Sequence, residues 1–199
     1  LNKKVYIATA RDIGEKCKTW AHKNMCDGFE LVEDLDSCDI IISVLYDKIF
    51  KPNIVNSKKC YNFHPGVLPD YKGCGICSWV IINEEEYMGT TLHIIDEGID
   101  TGELIEIRKF PIDKEDTSYS LFKKTEELIY DMFKCWFHKL VQSDYVTIPQ
   151  VVLNKNNIYY KKDLKKAMNL TKFARAFYFP DKPSAYYYNN SGNKIDISF

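Results

Sequence analysis

Charge of one sign is what this sequence lacks most plainly. Lysine and arginine number 27, aspartate and glutamate 28, and the formal net charge is -1. A chain with no overall basic field does not announce itself as a nucleic-acid binder, and no nucleic-acid partner is expected. No apolar run reaches the length needed to span a bilayer, and no signal-peptide pattern is present, so no membrane partner and a cytoplasmic location are expected. Glycine is sparse, at 9 residues, and the loop after the first predicted strand holds only Gly14. That excludes the G-x-G-x-x-G fingerprint, whose glycines make the tight turn under a dinucleotide. The 7 cysteines (Cys17, Cys26, Cys38, Cys60, Cys74, Cys77 and Cys135) are odd in number and scattered. They read as reduced thiols rather than a disulfide framework. Cys74 and Cys77 form one C-x-x-C, but no second pair and no nearby histidine pair completes four zinc ligands, so no metal is expected. A thiol redox or zinc protein built on these two residues stays as an alternative.

What is present is an ordinary globular composition, 45% hydrophobic and 28% charged over 199 residues, enough for one well-buried domain and a small appendage. Lys4 to Ala10 reads as a buried strand, followed by Asp12 as N-cap and a helix from Ile13 to about Met25. This strand-loop-helix opening is of the α/β kind. Arg11 at the helix start could hold a phosphate, or be a plain surface charge. Further strands are expected at Phe29 to Val32, Asp39 to Val44, Cys60 to His64, Tyr87 to Ile95 and Glu103 to Pro111, with a helix from Cys74 to Ile82. Asp116 or Thr117 caps a long helix to about Val141, whose apolar residues recur at helical spacing. From Ser143 the chain turns polar and tyrosine-rich. A helical turn or two over Asp163 to Met168, a helix over Thr171 to Phe177, and a hairpin of Ser184 to Tyr188 with Lys194 to Ile197 are expected. The fold class is α/β with a mostly parallel sheet. Residues 1–142 form the expected core, and 143–199 a small helix and hairpin module docked on it.

Two stretches carry chemistry. Tyr61 to Gly73 reads YNFHPGVLPDYKG and sets Asn62 and His64 at i and i+2, on one face of a strand that Pro65 and Gly66 end. An amide can donate to a developing oxyanion, and an imidazole can exchange a proton near neutrality. Met88 to Leu104 reads MGTTLHIIDEGIDTGEL, a strand running into an acidic loop with Asp96, Glu97 and Asp100. A carboxylate there could orient His64 or take a proton. His93, inside the strand, reads as a packed, hydrogen-bonded residue in preference to a reacting one.

Together the stretches resemble the folate-dependent formyltransferase family, through its N-x-H-P strand end, its L-P-x-Y-(K/R)-G loop and its D-x-G-x-D-T-G-like loop. The resemblance implies a Rossmann-like formyltransferase core and transfer of formyl from N10-formyltetrahydrofolate to an amine without a metal. It implies Asn62 as oxyanion donor, a protonated His64 stabilising the same charge, and Asp100 fixing the imidazole and helping to remove the amine proton. It also puts Tyr46, Lys48 and Ile49, and Ile95, Asp96 and Gly98, at the folate. YYKKDLKKAM and ARAFYFPDKPSAYY resemble the C-terminal segments of sugar N-formyltransferases. The implied acceptor is therefore a nucleotide-linked amino sugar, a 4-amino-4,6-dideoxyhexose on dTDP or UDP. Arg11, Tyr71, Lys72, Tyr159 and Tyr160 are the candidate substrate contacts. The tRNA enzymes usually carry a larger basic C-terminal domain, and the purine-pathway enzymes differ around the second motif. The N-terminal regulatory segment typical of the related hydrolases is not expected here, and transfer is expected over hydrolysis. Family members often dimerise, and the C-terminal hairpin is the natural contact. A catalytically silent α/β module that binds folate or nucleotide is the alternative of another class.

Overall fold

Five consecutive buried residues, Ile40–Val44, form a strand near the centre of the sheet, as a strand covered on both faces must. The computed structural model describes residues 2–151, 158–160, 163, 170–183, 185–188 and 193–196. In chain order the elements are β1 (Lys3–Thr9), α1 (Asp12–Lys23), β2 (Phe29–Leu31), β3 (Ile40–Val44), α2 (Pro52–Val55), β4 (Lys59–His64), β5 (Lys72–Gly73), α3 (Ile76–Ile82), β6 (Tyr87–Ile94) and β7 (Leu104–Pro111). They continue with α4 (Ser118–Gln142), β8 (Ile158–Tyr159), α5 (Leu170–Phe177), β9 (Tyr186–Tyr188) and β10 (Lys194–Asp196).

The main sheet has 6 strands in the order β2-β1-β3-β4-β6-β7. β2, β1, β3 and β4 run parallel, while β6 pairs antiparallel with β4 and β7 antiparallel with β6. The sheet is thus mostly parallel, as the pattern of buried strands and helices implies. Alternation along the strands sorts the faces. Ile40, Ile42, Val44, Tyr61 and Phe63 pack against α1 and α4, while Ile41 and Cys60 turn to the opposite face with Cys38, Tyr6 and Ile54. Because Tyr61 and Phe63 look toward α4, Asn62 and His64 must look away from it.

α4 begins with a reciprocal cap. Thr117 accepts the Ser120 N–H at 3.1 Å, and the Ser120 hydroxyl accepts the Thr117 N–H at 2.9 Å. Its apolar stripe packs on α1, where Trp20 meets Phe133 and Phe137 edge to face at 6.1 and 5.9 Å. The start of α1 differs from expectation. Asp12 is the first helical residue and Arg11 the N-cap, without a side-chain capping bond. The Thr9 hydroxyl takes the Arg11 N–H and holds it extended, so Arg11 becomes the cap and the chain turns helical one residue earlier than a cap at Asp12 would set. Asp12 still suits the helix start through its charge.

The tail docks on this core. α5 packs on α3, and the hydroxyls of Ser78 and Ser118 donate to the Ala176 carbonyl. β8 pairs parallel with β5, and β9 pairs antiparallel with β10 as the expected hairpin does. The hairpin loop 189–192, residue 197 and the turn expected over 164–168 lie outside the described residues.

Candidate active site

β4 ends at His64, and its two polar side chains stand on the face opposite α4. The antiparallel register of β4 and β6 sets Asn62 directly across from His93. The loop from β6 to β7 then folds back over this face and brings Asp100 to both. Its Oδ2 lies 3.5 Å from His64 Nδ1, and its Oδ1 lies 3.5 Å from His93 Nε2 and 3.4 Å from Asn62 Nδ2. The Gly73 N–H donates to Oδ2 at 2.8 Å. One buried niche therefore holds an amide, two imidazoles and a carboxylate.

The contacts fix the tautomers. His64 Nε2 is 2.6 Å from the Tyr71 carbonyl, which can only accept, so Nε2 carries the proton. In the neutral ring Nδ1 is then a lone pair facing Asp100, and in the imidazolium it is a donor to the carboxylate. Likewise His93 Nδ1 donates to the Ile94 carbonyl at 2.6 Å, and its Nε2 accepts the Asn62 amide at 3.2 Å. Burial pushes the His64 pKa below the ordinary imidazole value, against the opposing pull of the Asp100 charge. Burial alone would raise the Asp100 pKa, but His64, His93 and the Gly73 N–H hold it well below the carboxylate range. Asp100 is thus held ionised, facing both rings and the Gly73 N–H.

Close packing leaves no slack. A Cβ on Gly66 would lie 2.7 Å from both His64 Nε2 and the Tyr71 carbonyl oxygen. Gly73, at φ 89, has left-handed backbone and would collide with the Tyr159 carbonyl if it bore a side chain. Asp100 itself sits at φ 52, a region that residues with a side chain seldom adopt.

The two stretches expected at the folate meet. Tyr46 stacks on Phe50 at 5.3 Å and shares one apolar cluster with Ile54 and Ile95. Asn56, after α2, donates to Glu97 at 2.7 Å, tying the two stretches together. Lys48 is exposed and Ile49 is 83% exposed. Asp96 spends one oxygen inside its loop, on the Gly98 N–H at 3.1 Å and the Thr101 hydroxyl at 2.6 Å, so its carboxylate shapes the loop.

The expected substrate contacts divide. Arg11 is exposed at the start of α1, and β1, β3 and β4 all point their C-terminal ends this way, where ligands of parallel sheets bind. Tyr71, Lys72, Tyr159 and Tyr160 gather instead around β5 and β8. Tyr71 is 6% exposed, stacks on Tyr159 at 4.9 Å, and donates its hydroxyl to Glu85 at 2.5 Å. Its ring is therefore core, and its backbone carbonyl is what reaches the site. Tyr160 is 37% exposed. A cavity of about 330 Å³ is lined by Val67, Tyr71, Val80, Glu85, Met88 and Lys109, and by none of Asn62, His64, His93 or Asp100. Cys74 is exposed and Cys77 buried. Among the described residues no group of three histidine, cysteine or acidic side chains is placed to hold a metal ion.

Two participants were invisible to local pattern. His93 is packed and hydrogen-bonded as expected, but its partners are the site residues themselves, which only the register reveals. Gln150, far along the chain, donates to the carbonyls of Asp100 at 3.0 Å and Gly102 at 2.7 Å. No sequence signal marked it.

Known proteins resemble this chain in sequence and in fold. The chain is 27% identical over 205 residues to GDP-perosamine N-formyltransferase of Brucella melitensis biotype 1, covering 92% of this chain and 77% of that protein. It is 35% identical over 121 residues to the bifunctional polymyxin resistance protein ArnA of Wigglesworthia glossinidia brevipalpis, covering 60% of this chain and 17% of that one. The chain thus spans a small part of some curated relatives and most of others. A sugar N-formyltransferase from Shewanella sp FDAARGOS_354 superposes with a TM-score of 0.85 at 21% identity, covering 99% of this chain and 97% of that one. An N-formyltransferase from Helicobacter canadensis, solved with folinic acid and dTDP-3-aminofucose, superposes with a TM-score of 0.74 at 22% identity, covering 90% and 81%. The family model described as "Formyl transferase" matches residues 18–134, more than half of the sequence and including all of Asn62, His64 and Asp100, and the chain belongs to that family.

Proposed function

We propose that this protein transfers the formyl group of N10-formyltetrahydrofolate to the amino group of a nucleotide-linked amino sugar, a 4-amino-4,6-dideoxyhexose on dTDP or UDP. The observation that carries this is the convergence of Asn62 and His64 on Asp100 at 3.4 and 3.5 Å. The choice of acceptor is supported by relatives whose names specify sugar N-formylation and whose match extends over the tail. We further propose a cytoplasmic enzyme and a homodimer joined through β9 and β10, where Tyr186 is 44% and Ile195 38% exposed. No described helix is long and apolar enough to cross a membrane.

The neutral substrate amine attacks the formyl carbon, and the carbonyl oxygen becomes an oxyanion. Asn62 donates to that oxygen, an interaction stronger in the transition state than in the ground state. His64 Nδ1, the ring nitrogen not tied to Tyr71, takes the proton that the amine nitrogen loses. The imidazolium then faces ionised Asp100, so a lone-pair repulsion becomes an ion pair as charge develops. The proton passes to N10 as the bond from N10 to the formyl carbon breaks. Tetrahydrofolate and the formamide leave, and no covalent enzyme intermediate is needed.

The test is incubation with N10-formyltetrahydrofolate and a panel of dTDP-, UDP- and GDP-linked 3-amino and 4-amino sugars, with methionyl-tRNA as a rival acceptor. Mass spectrometry should show one sugar gaining a formyl group, and His64→Asn should abolish the gain. Formylation of the tRNA alone would overturn the choice of acceptor. Folate breakdown without any acceptor would make the protein a hydrolase.

A further inference from the structure

After α4 the chain returns twice to the residues around Asp100. At the first return, Ile148 pairs with Leu104 through two 2.8 Å backbone bonds, and Thr147 donates to Glu103 at 2.5 Å. Gln150 follows and gives its amide hydrogens to the carbonyls of Asp100 and Gly102. These carbonyls bracket a turn with little freedom. Asp100 has left-handed backbone, and a side chain at Gly102 would strike the Ile94 carbonyl. A residue held in such a region persists only where its surroundings impose it, and Gln150 is a part of those surroundings.

At the second return, β8 lies along β5, and the Cys74 N–H donates to the Tyr159 carbonyl at 3.0 Å. The Tyr159 ring stacks on Tyr71, with planes 13° apart, and lies 5.1 Å from the Trp79 ring. The stretch clamped in this way, Tyr71 to Gly73, supplies the carbonyl that takes the His64 Nε2 proton and the N–H that donates to Asp100 Oδ2. The face of Tyr159 turned to Tyr71 is therefore spent inside the protein rather than open to a nucleotide base.

We propose that Gln150 and Tyr159 are positioning residues that complete the site from outside the core: Gln150 sets the backbone of Asp100, and Tyr159 clamps Tyr71 to Gly73 so that His64 and the Asp100 carboxylate keep their separation. The kinetic part of this proposal rests on the formyl-transfer reading; the geometric part does not. Displacement of a reacting group by about 1 Å can cost roughly a hundredfold in rate.

The experiment uses the full chain with Gln150→Met, which keeps length without donors or charge, and Tyr159→Leu, which removes the stacked ring. Tyr159→Phe keeps the ring. The His64 ring is followed by NMR through a pH titration, assigned by its loss in His64→Asn, and kcat and KM are measured with the acceptor identified above. Gln150→Met and Tyr159→Leu should displace the His64 titration and lower kcat about ten- to a hundredfold, with KM little changed. Tyr159→Phe should restore both. An unchanged His64 titration in Gln150→Met and Tyr159→Leu overturns the proposal, whether or not the chain formylates anything. So does a raised KM with wild-type kcat, which would make these residues substrate contacts. Near-UV circular dichroism checks folding, and if Tyr159→Leu does not fold, the Gln150→Met titration decides alone.

Discussion

Asn62 spends its amide on His93 at 3.2 Å and on Asp100 at 3.4 Å, so in the resting site its donor is already oriented. Preorganisation makes an oxyanion donor effective, and Asn62 meets the developing charge by exchanging one of these two long bonds, its amide already held in the niche. Asn62→Ala should therefore lower kcat by roughly a hundred- to a thousandfold, about 3–4 kcal/mol at the transition state. KM for the acceptor should stay close to that of the unaltered enzyme. Steady-state kinetics decides: a raised KM with intact kcat would make Asn62 a binding residue and remove it from the oxyanion role. The same logic explains Gly66. Nothing larger fits between the His64 ring and the Tyr71 carbonyl, so the Pro-Gly that ends β4 also leaves room for the hydrogen bond that fixes the imidazole.

α4, with 25 residues, is the element that the core is built on, and its start depends on Thr117. The cap is buried, with Thr117 6% exposed, so water does not readily replace the lost bond. Thr117→Ala should cost about 1 kcal/mol, a drop in Tm of about 2–4 °C for a chain of this size. Thr117→Ser should recover most of it. Thermal and urea denaturation measure both variants, and an unchanged midpoint in Thr117→Ala would show that the cap contributes nothing. This cap was legible because the Thr117-to-Ser120 signal is local and precedes a long apolar period. The start of α1 was less so: Asp12 has cap chemistry, but the Thr9 hydroxyl from the preceding strand moved the boundary.

The whole molecule carries its site as a pH-dependent load. His64 has a folded pKa below its unfolded value of about 6.5. The unfolded chain then binds the extra proton first, so this contribution is present above pH 6.5 and lost as pH falls through the folded value. Asp100 has a depressed folded pKa, so its contribution is present above about 3.9 and lost as pH falls below that. Asp116 adds to the lower step, since Lys124 and Ser120 hold its carboxyl down despite partial burial. Urea midpoints should fall in two stages, one from neutrality downward and one below about pH 4. His64→Asn should erase the upper stage and, by removing the ring that faces Asp100, shrink the lower one. Constant midpoints from pH 8 to pH 5 in the unaltered protein would mean that His64 titrates like an exposed imidazole.

By itself the sequence determined what depends on short-range periodicity and stereochemistry. The buried strands, the capped α4 and the shared face of Asn62 and His64 follow from alternation, helical spacing and the Pro-Gly stop. Tertiary structure decided what depends on register and on burial. The antiparallel pairing of β4 with β6 put His93 against Asn62, and the folded-back loop put Asp100 between two imidazoles. Burial pushed the His64 pKa down and took the Tyr71 ring into the core while leaving its carbonyl in the site. Gln150 and Tyr159 reach Asp100 and Tyr71 across 50 and 88 positions. No local pattern encodes such pairs, because the energy that joins them exists only once the intervening chain has folded.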